Sequence, residues 1–501
     1  MLLPTAVLFF AFLSCLWFVS FLFGFFRPNH GKSSLPLPPG PMGLPIVGHL
    51  LKLGDLPHCA LHRMAKKYGP IMYIRLGLVP TIVVSSPEYA ELFLKTHDAN
   101  FSNRPTLEAA KYMAYGRKGL IFLPYGPYWR NMRRLCTLEL LSNTKVQMFT
   151  PMRKQEVIDF IEAIKLRPES GSLVDITEKV GSVVENMTYK MLFGFKVDKC
   201  GLKPTIDEVV SLAGVFSIAD FIPWLGPLDI QGYRRRMKRV AIVMDTFFET
   251  LIDEHEKDTS SLPGEHRDFL DIMLSLMHSS NTQGERINRD NIKAILVDLL
   301  GAAMDTTATA IEWTVAELLK NPRVMALVQE ELEKVVGLDR MVEEEDLVKM
   351  EYLKMVVKES MRLHPVVPLT PHEAIEDKSI NGYFIPKGSL IMINIWAIGR
   401  DPIVWSRNAH DFYPERFVDS SIDLRGRDFQ LIPFGSGRRK CVGMQLGLTA
   451  VEYVVAQLVH CFNLSLPHGM LPGDLDMEEK YGLTLPRANH LVLIPTYRLL
   501  K

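Results

Sequence analysis

Residues 1–26 run without one charged side chain, and the first positive ones follow at Arg27 and Lys32. So long an apolar run predicts a transmembrane helix, and the charge behind it places the rest of the chain in the cytosol. Phe21-Leu22-Phe23-Gly24-Phe25-Phe26 continues straight into Arg27, where a cleavable leader would end in small residues. An uncleaved signal anchor is therefore expected. The proline-rich run Leu35–Pro41 closes a stiff, extended hinge over 27–41, and the body is 42–501. Within it, apolar and β-branched residues at Ile71–Leu76 and Thr81–Ser85 predict two strands joined by a short turn. Pro87 then opens a helix with Ser86 as its cap. From 150 to 290 the pattern is amphipathic helix with polar interruptions. Residues 290–320 read as one long helix, capped by Asp290 or Asn291 and stopped before Pro322. A hairpin is expected over Ser379–Ile395 around Asn381-Gly382, a helix over Val442–Phe462, and an edge strand at Leu491–Pro495. The pattern predicts a mainly α chain with small β-sheets.

Composition narrows the function classes. With 47% hydrophobic residues in 501, the chain can bury a large core. The 57 basic side chains balance 57 acidic ones without a concentrated basic block, so nucleic-acid binding has no electrostatic support. Cysteines 15, 59, 136, 200, 441 and 461 are scattered and show no zinc-type spacing. They read as reduced thiols in a cytosol-facing protein.

Chemistry concentrates in a few places. Cys441 sits in the glycine-punctuated loop Pro433-Phe434-Gly435-Ser436-Gly437-Arg438-Arg439-Lys440-Cys441-Val442-Gly443, just before a helical pattern. A helix starting there points its positive end at the sulfur and favours the thiolate, the form that binds metals. A buried structural cysteine is the plainer reading, but it leaves the glycines and arginines unexplained. In the apolar middle of the long helix stand Asp305 and Thr306, beside the small run Gly301-Ala302-Ala303. A carboxylate there is costly unless solvated, paired or used. Trp129 and Arg133 share one helix face, as do Glu359 and Arg362.

These stretches together resemble the cytochrome P450 enzymes. Phe434, Gly435, Gly437, Arg439, Cys441 and Gly443 reproduce the Phe-Gly-x-Gly-x-Arg-x-Cys-x-Gly pattern of their haem-binding loop. The resemblance implies haem b with Cys441 as the axial thiolate ligand of the iron and Arg439 as a propionate partner. It implies that Trp129 and Arg133, in a Trp-x-x-x-Arg pair, and His372 also meet the propionates. Asp305-Thr306 resembles the oxygen-binding run of the family, with Thr306 bonding the oxygen and Asp305 relaying protons. Ala303 stands where glycine is usual, and Thr370 is alone where relatives have two residues between Pro-Leu and the next proline. Glu359 and Arg362, with Arg416 of Tyr413-Pro414-Glu415-Arg416-Phe417, resemble the family's structural network.

The wording, including Asp220-Phe221-Ile222-Pro223-Trp224-Leu225-Gly226, is similar to the plant A-type, microsomal branch. The resemblance further implies a P450 fold with haem between the long helix and the cysteine loop. The implied setting is a single-pass enzyme of the endoplasmic reticulum membrane. No glycine-rich dinucleotide fingerprint is present, so NADPH-cytochrome P450 reductase is the implied electron donor. The expected reaction is monooxygenation with O2 of a small-to-medium hydrophobic metabolite, terpenoid or phenolic/biphenyl, in specialised or defence metabolism. A haem-thiolate isomerase or dehydratase is the alternative, which NADPH consumption distinguishes; a non-catalytic haem-binding protein is another.

Overall fold

The computed structural model describes residues 35–166, 172–196, 203–259, 268–279 and 287–500. The expected anchor, 1–26, and the hinge up to residue 34 lie outside them. The described end of the hinge is laid on the body. The carbonyls of Pro39 and Pro36 accept from the N–H groups of Tyr73 and Phe384, at 2.9 and 2.8 Å.

Helix α1 (Pro57–Tyr68) leads into strands β1 (Ile71–Leu76) and β2 (Val79–Val84), paired antiparallel with Ile71 opposite Val84. Ser86 holds the cap position of the next helix by its backbone alone, its carbonyl accepting from Ala90 N at 3.0 Å. Further on come α2 (Pro127–Leu135), β3 (Val174–Asp175), α3 (Ile176–Phe193), α4 (Lys203–Gly214) and α5 (Tyr233–Thr259). Asp175 caps α3 by accepting from Glu178 N at 2.9 Å.

The long helix, α6 (Arg289–Lys320), is capped two or three residues earlier than the sequence predicts. Asn288 is the N-cap, and Asn291 returns the bond to its N–H at 2.9 Å. Asn291 is thus the third residue of a capping box, and this reciprocal geometry displaces the expected cap. Pro322 opens the following helix. Among the described residues α6 alone is long and apolar enough to cross a bilayer, but it is the axis of the core. One stretch packs Ile292, Ile295 and Leu296 with Phe248 and Ile252 of α5 and Phe193 of α3. The other packs Ile311, Val315 and Leu318 with residues of α7 (Glu351–Leu363) and of the cysteine helix. Each such apolar side chain contributes about 1.5–3 kcal/mol by leaving water.

Strands β4 (Leu369–Glu373), β5 (Lys378–Ile380), β6 (Tyr383–Ile385) and β7 (Leu390–Asn394) correct the expected hairpin. Only β5 and β6 form it, with Asn381 and Gly382 at positive φ (44° and 80°). β7 instead pairs parallel with β2 and antiparallel with β4, giving the order β1-β2-β7-β4. Helix α8 (Met444–Cys461) is followed by β8 (Phe462–Ser465) and, last, β9 (Val492–Tyr497). β9 is not an edge: it lies between β3 and β8. β3 pairs only with Val492 and Leu493, so the missing N–H of Pro495 interrupts nothing on that side.

Candidate active site

The cysteine loop is closed by Cys441 N donating to the Phe434 carbonyl at 2.9 Å. Gly435 and Gly437 both take positive φ (70° and 67°), and a Cβ on Gly437 would stand 2.2 Å from the Leu94 carbonyl oxygen. Only glycine lets the loop lie that close. Cys441 is deep in the fold, yet its side chain is left accessible. Burial pushes its thiol up, while the Gly443 N–H and the charges of Arg133 and Lys440 act the other way. The sulfur therefore receives the backbone donor expected at a helix start.

Behind it lies a cluster of cations. Arg439 donates to the carbonyls of Ser102 (2.7 Å) and Leu123 (2.6 Å) and stacks on the Trp129 ring at 4.2 Å. Trp129 Nε1 donates to the Leu120 carbonyl at 3.1 Å, and Arg133 to the Lys440 carbonyl at 2.8 Å. His372, on β4, bonds the Phe101 carbonyl through Nδ1 at 3.0 Å. The structure adds Arg104, which bonds the Pro371 carbonyl but whose buried Nε has no partner. Burial first, and then the charges of Arg104, Arg133 and Arg117, lower Arg439 to about 9. Burial alone lowers Arg104 to about 10 and, with Arg104 and Arg439 adding, keeps His372 neutral. Buried guanidiniums bonded to neutral carbonyls, one with a free donor, are a receptor for carboxylates.

On α6 the burial breaks where the small residues are. Ala302 is exposed and Gly301, Ala303 and Thr306 are half-buried, although the helix is buried from Thr309 to Leu319. The first turns of α8, Met444 to Thr449, are likewise open, and from Ala450 the helix is buried except at Glu452. Both stretches are thus left incompletely packed, as a flat apolar group seated on them would require. Thr306 donates to the Ala302 carbonyl at 2.5 Å. Asp305 instead turns to Thr484, whose hydroxyl donates to its Oδ2. The adjacent acid and alcohol are thus held apart, not bonded as a pair.

A model of the cytochrome P450 family matches residues 38–494. The chain belongs to the cytochrome P450 family. It is 56% identical over 469 residues to cytochrome P450 CYP736A12 of Panax ginseng, covering 92% of this chain and 94% of that one. To the flavonoid 3'-monooxygenase of Petunia hybrida it is 42% identical over 491 residues, covering 95% and 94%. A solved zebrafish cytochrome P450 with abiraterone superposes with a TM-score of 0.74 at 27% identity, over 88% of this chain and 100% of that one. This P450 is accordingly a monooxygenase with haem held by a cysteine thiolate. The sulfur, the incompletely packed stretches of α6 and α8 and the cation cluster fit iron, macrocycle and propionates in turn.

Beneath the site of this P450, Glu359 accepts from Arg362 Nε and Nη2, both at 2.8 Å, and from Arg416 Nε at 2.9 Å. Asp298, which sequence reasoning passed over, stands on α6 and accepts from the N–H groups of Leu120 and Ile121. It so ties down the loop that carries the carbonyls bonded by Trp129 and Arg439. Its signal was available: an acid in an apolar helix face, as at Asp305. Burial pushes the Asp298 carboxyl up to about 6 against the pull of those two N–H groups. A raised carboxyl favours the protonated native state, so this contribution to stability falls as pH rises from about 4 to about 6. The melting temperature of the native enzyme should fall relative to Asp298→Asn across that window. Parallel curves would show that the carboxyl titrates normally.

Proposed function

We propose that this P450 is an endoplasmic-reticulum enzyme, anchored through residues 1–26, that hydroxylates a small-to-medium hydrophobic metabolite. A phenolic of flavonoid type or a terpenoid suits it, with electrons drawn from NADPH through cytochrome P450 reductase. The observation that carries this reading is a cavity of about 750 Å³ beside Asp305, Met304 and Ala308. Ile206, Val210, Phe216, Phe221 and Leu483 give it apolar walls, and Ser211 and Thr484 supply hydroxyls. Apolar walls with a few polar groups suit a ring system bearing hydroxyls. The named relatives from Petunia and Eustoma act on flavonoids. Trp224, Leu228 and Ile230 are exposed on and beside the Pro223–Leu228 turn, which supports a second contact with lipid near that cavity.

Haem, when bound, supplies oxygen activation. In the proposed site Cys441 is its thiolate ligand, and Arg439, Trp129, Arg133, His372 and Arg104 hold its propionates. Phe434, Gly435 and Gly437 shape the loop around the sulfur. Thr306 and Asp305 deliver the protons that let one oxygen atom leave as water. Thr306→Ala should keep the haem and lose about tenfold in product per NADPH, with hydrogen peroxide making up the difference. Full coupling in that variant would remove Thr306 from the mechanism.

The reduced carbon monoxide difference spectrum in membranes is the first test, followed by phenolics and terpenoids with reductase and NADPH. A thiolate-type band with NADPH-dependent hydroxylation is the expected result. Conversion without NADPH would instead assign an isomerase or dehydratase.

A further inference from the structure

The cavity beside α6 has a charged end. Lys203, exposed at its rim, pairs with Glu185 at 2.6 Å. Asp207 follows on α4, then Asp305 on α6, all lining one space with Ser211 and Thr484. Burial pushes the Asp207 carboxyl up, Lys203 opposes this, and Glu185 and Asp305 push it further up. Acids thus lead from the surface to the residue beside Thr306.

Thr484 sits where this row meets the helix. It is 2% exposed, and its hydroxyl donates to Asp305 Oδ2. The turn that carries it cannot drift. Gly482 N donates to the Thr484 carbonyl (3.0 Å), Leu485 N to the Val366 carbonyl (2.9 Å), and Trp313 Nε1 to the Leu485 carbonyl (2.8 Å). On the far side α4 lies against it: a Cβ on Gly214 would stand 2.2 Å from Leu483 N. A hydroxyl fixed on three sides therefore sets the direction of the Asp305 carboxylate. That direction is into the cavity, while Thr306 is satisfied by its own helix.

We propose that Thr484 is the positioning residue of Asp305, holding the carboxylate where protons arrive from solvent and releasing it to turn towards Thr306. Water formation consumes two protons per turnover; each passes from the Asp305 carboxyl to the Thr306 hydroxyl, which hands its own proton on to the oxygen atom that leaves as water, and Asp305 returns as carboxylate to the Thr484 donor. This rests on the monooxygenase reading for the use of the protons, but not for the bond itself.

The test uses full-length enzyme in membranes and two readouts. Infrared spectra of enzyme with ¹³C-labelled aspartate locate Asp305 by the band lost in Asp305→Asn. Thr484→Val should shift that band and Thr484→Ser should restore it, whether or not a substrate is in hand. In turnover, Thr484→Val should lower product per NADPH by about 3- to 10-fold, less than the loss of a whole general acid. Thr484→Ser should recover it, and adding Thr484→Val to Asp305→Asn should cost nothing more. An unmoved band in Thr484→Val, or serine failing to restore band and coupling, would overturn the proposal. A shifted band with no NADPH-dependent product would instead count against the monooxygenase reading alone.

Discussion

Cys441→Ser should abolish the thiolate-type band of the reduced carbon monoxide complex while haem is still retained. Haem is held by more than the sulfur. The cation cluster around Arg439 and the incompletely packed stretches of α6 and α8 are untouched by the exchange. What serine removes is the one soft ligand that can be deprotonated there. Burial pushes the Cys441 thiol up, against the pull of Gly443 N–H, Arg133 and Lys440, and a bound metal would displace its proton. An alcohol is far harder to deprotonate and donates less electron density to iron, which the O–O bond needs in order to break. Monooxygenation should fall by more than about 100-fold, beyond what the loss of a group that only supports a ligand costs. The control is Cys461→Ser. That thiol is buried in the α8 core and pushed up to about 12, so it has no route to a metal and should leave the band intact. A thiolate band surviving in Cys441→Ser would move the ligand to another cysteine.

The contrast between these cysteines shows what the sequence could and could not carry. Cys441 was legible because glycines, arginines and sulfur lie within one loop, where spacing is geometry. The same holds for Glu359 with Arg362, one helical turn apart, and for the long apolar helix. What was missed depends on distant segments meeting. Arg104 reaches the cluster only because the chain folds 335 residues of sequence back onto it, bringing Arg439 alongside. Asp305 was legible as an acid needing a role, but its partner Thr484 lies 179 positions away. β9 read as an edge because Pro495 weakens a strand, and nothing local shows that the two-residue β3 stops short of it. Asn288 lost to Asp290 and Asn291 as the expected cap because all three are capping residue types. Only the returned bond from Asn291 decides among them.

The largest loss of stability should come from Glu359→Gln, because magnitude here depends on burial and not on the count of ion pairs. The exposed pair Lys95–Glu91, at 2.6 Å, is shorter than either ion pair of Glu359, at 2.8 Å to Arg362 and 2.9 Å to Arg416, yet such pairs contribute only ~0–1 kcal/mol. Glu359 and Arg362 are both 0% exposed in their side chains, and Arg416 is 8% exposed. The carboxylate also accepts from Tyr413 N at 2.8 Å, while Arg362 bonds the carbonyls of Ala409 (2.6 Å) and Asp411 (3.0 Å). One anion therefore joins α7 to the segment that leads towards the cysteine loop. Glutamine keeps the shape but leaves two buried guanidiniums without a counter-charge, a change that costs about 3–5 kcal/mol. That is about a fifth or more of the stability of an ordinary domain. Glu359→Gln should give little haem-loaded protein at 37 °C and a clearly lowered melting temperature at lower growth temperature. Glu91→Gln should match the native enzyme in both. Equal yields and melting temperatures for all three would mean that the guanidiniums are satisfied by carbonyls alone. The buried carboxylate would then be dispensable to the scaffold.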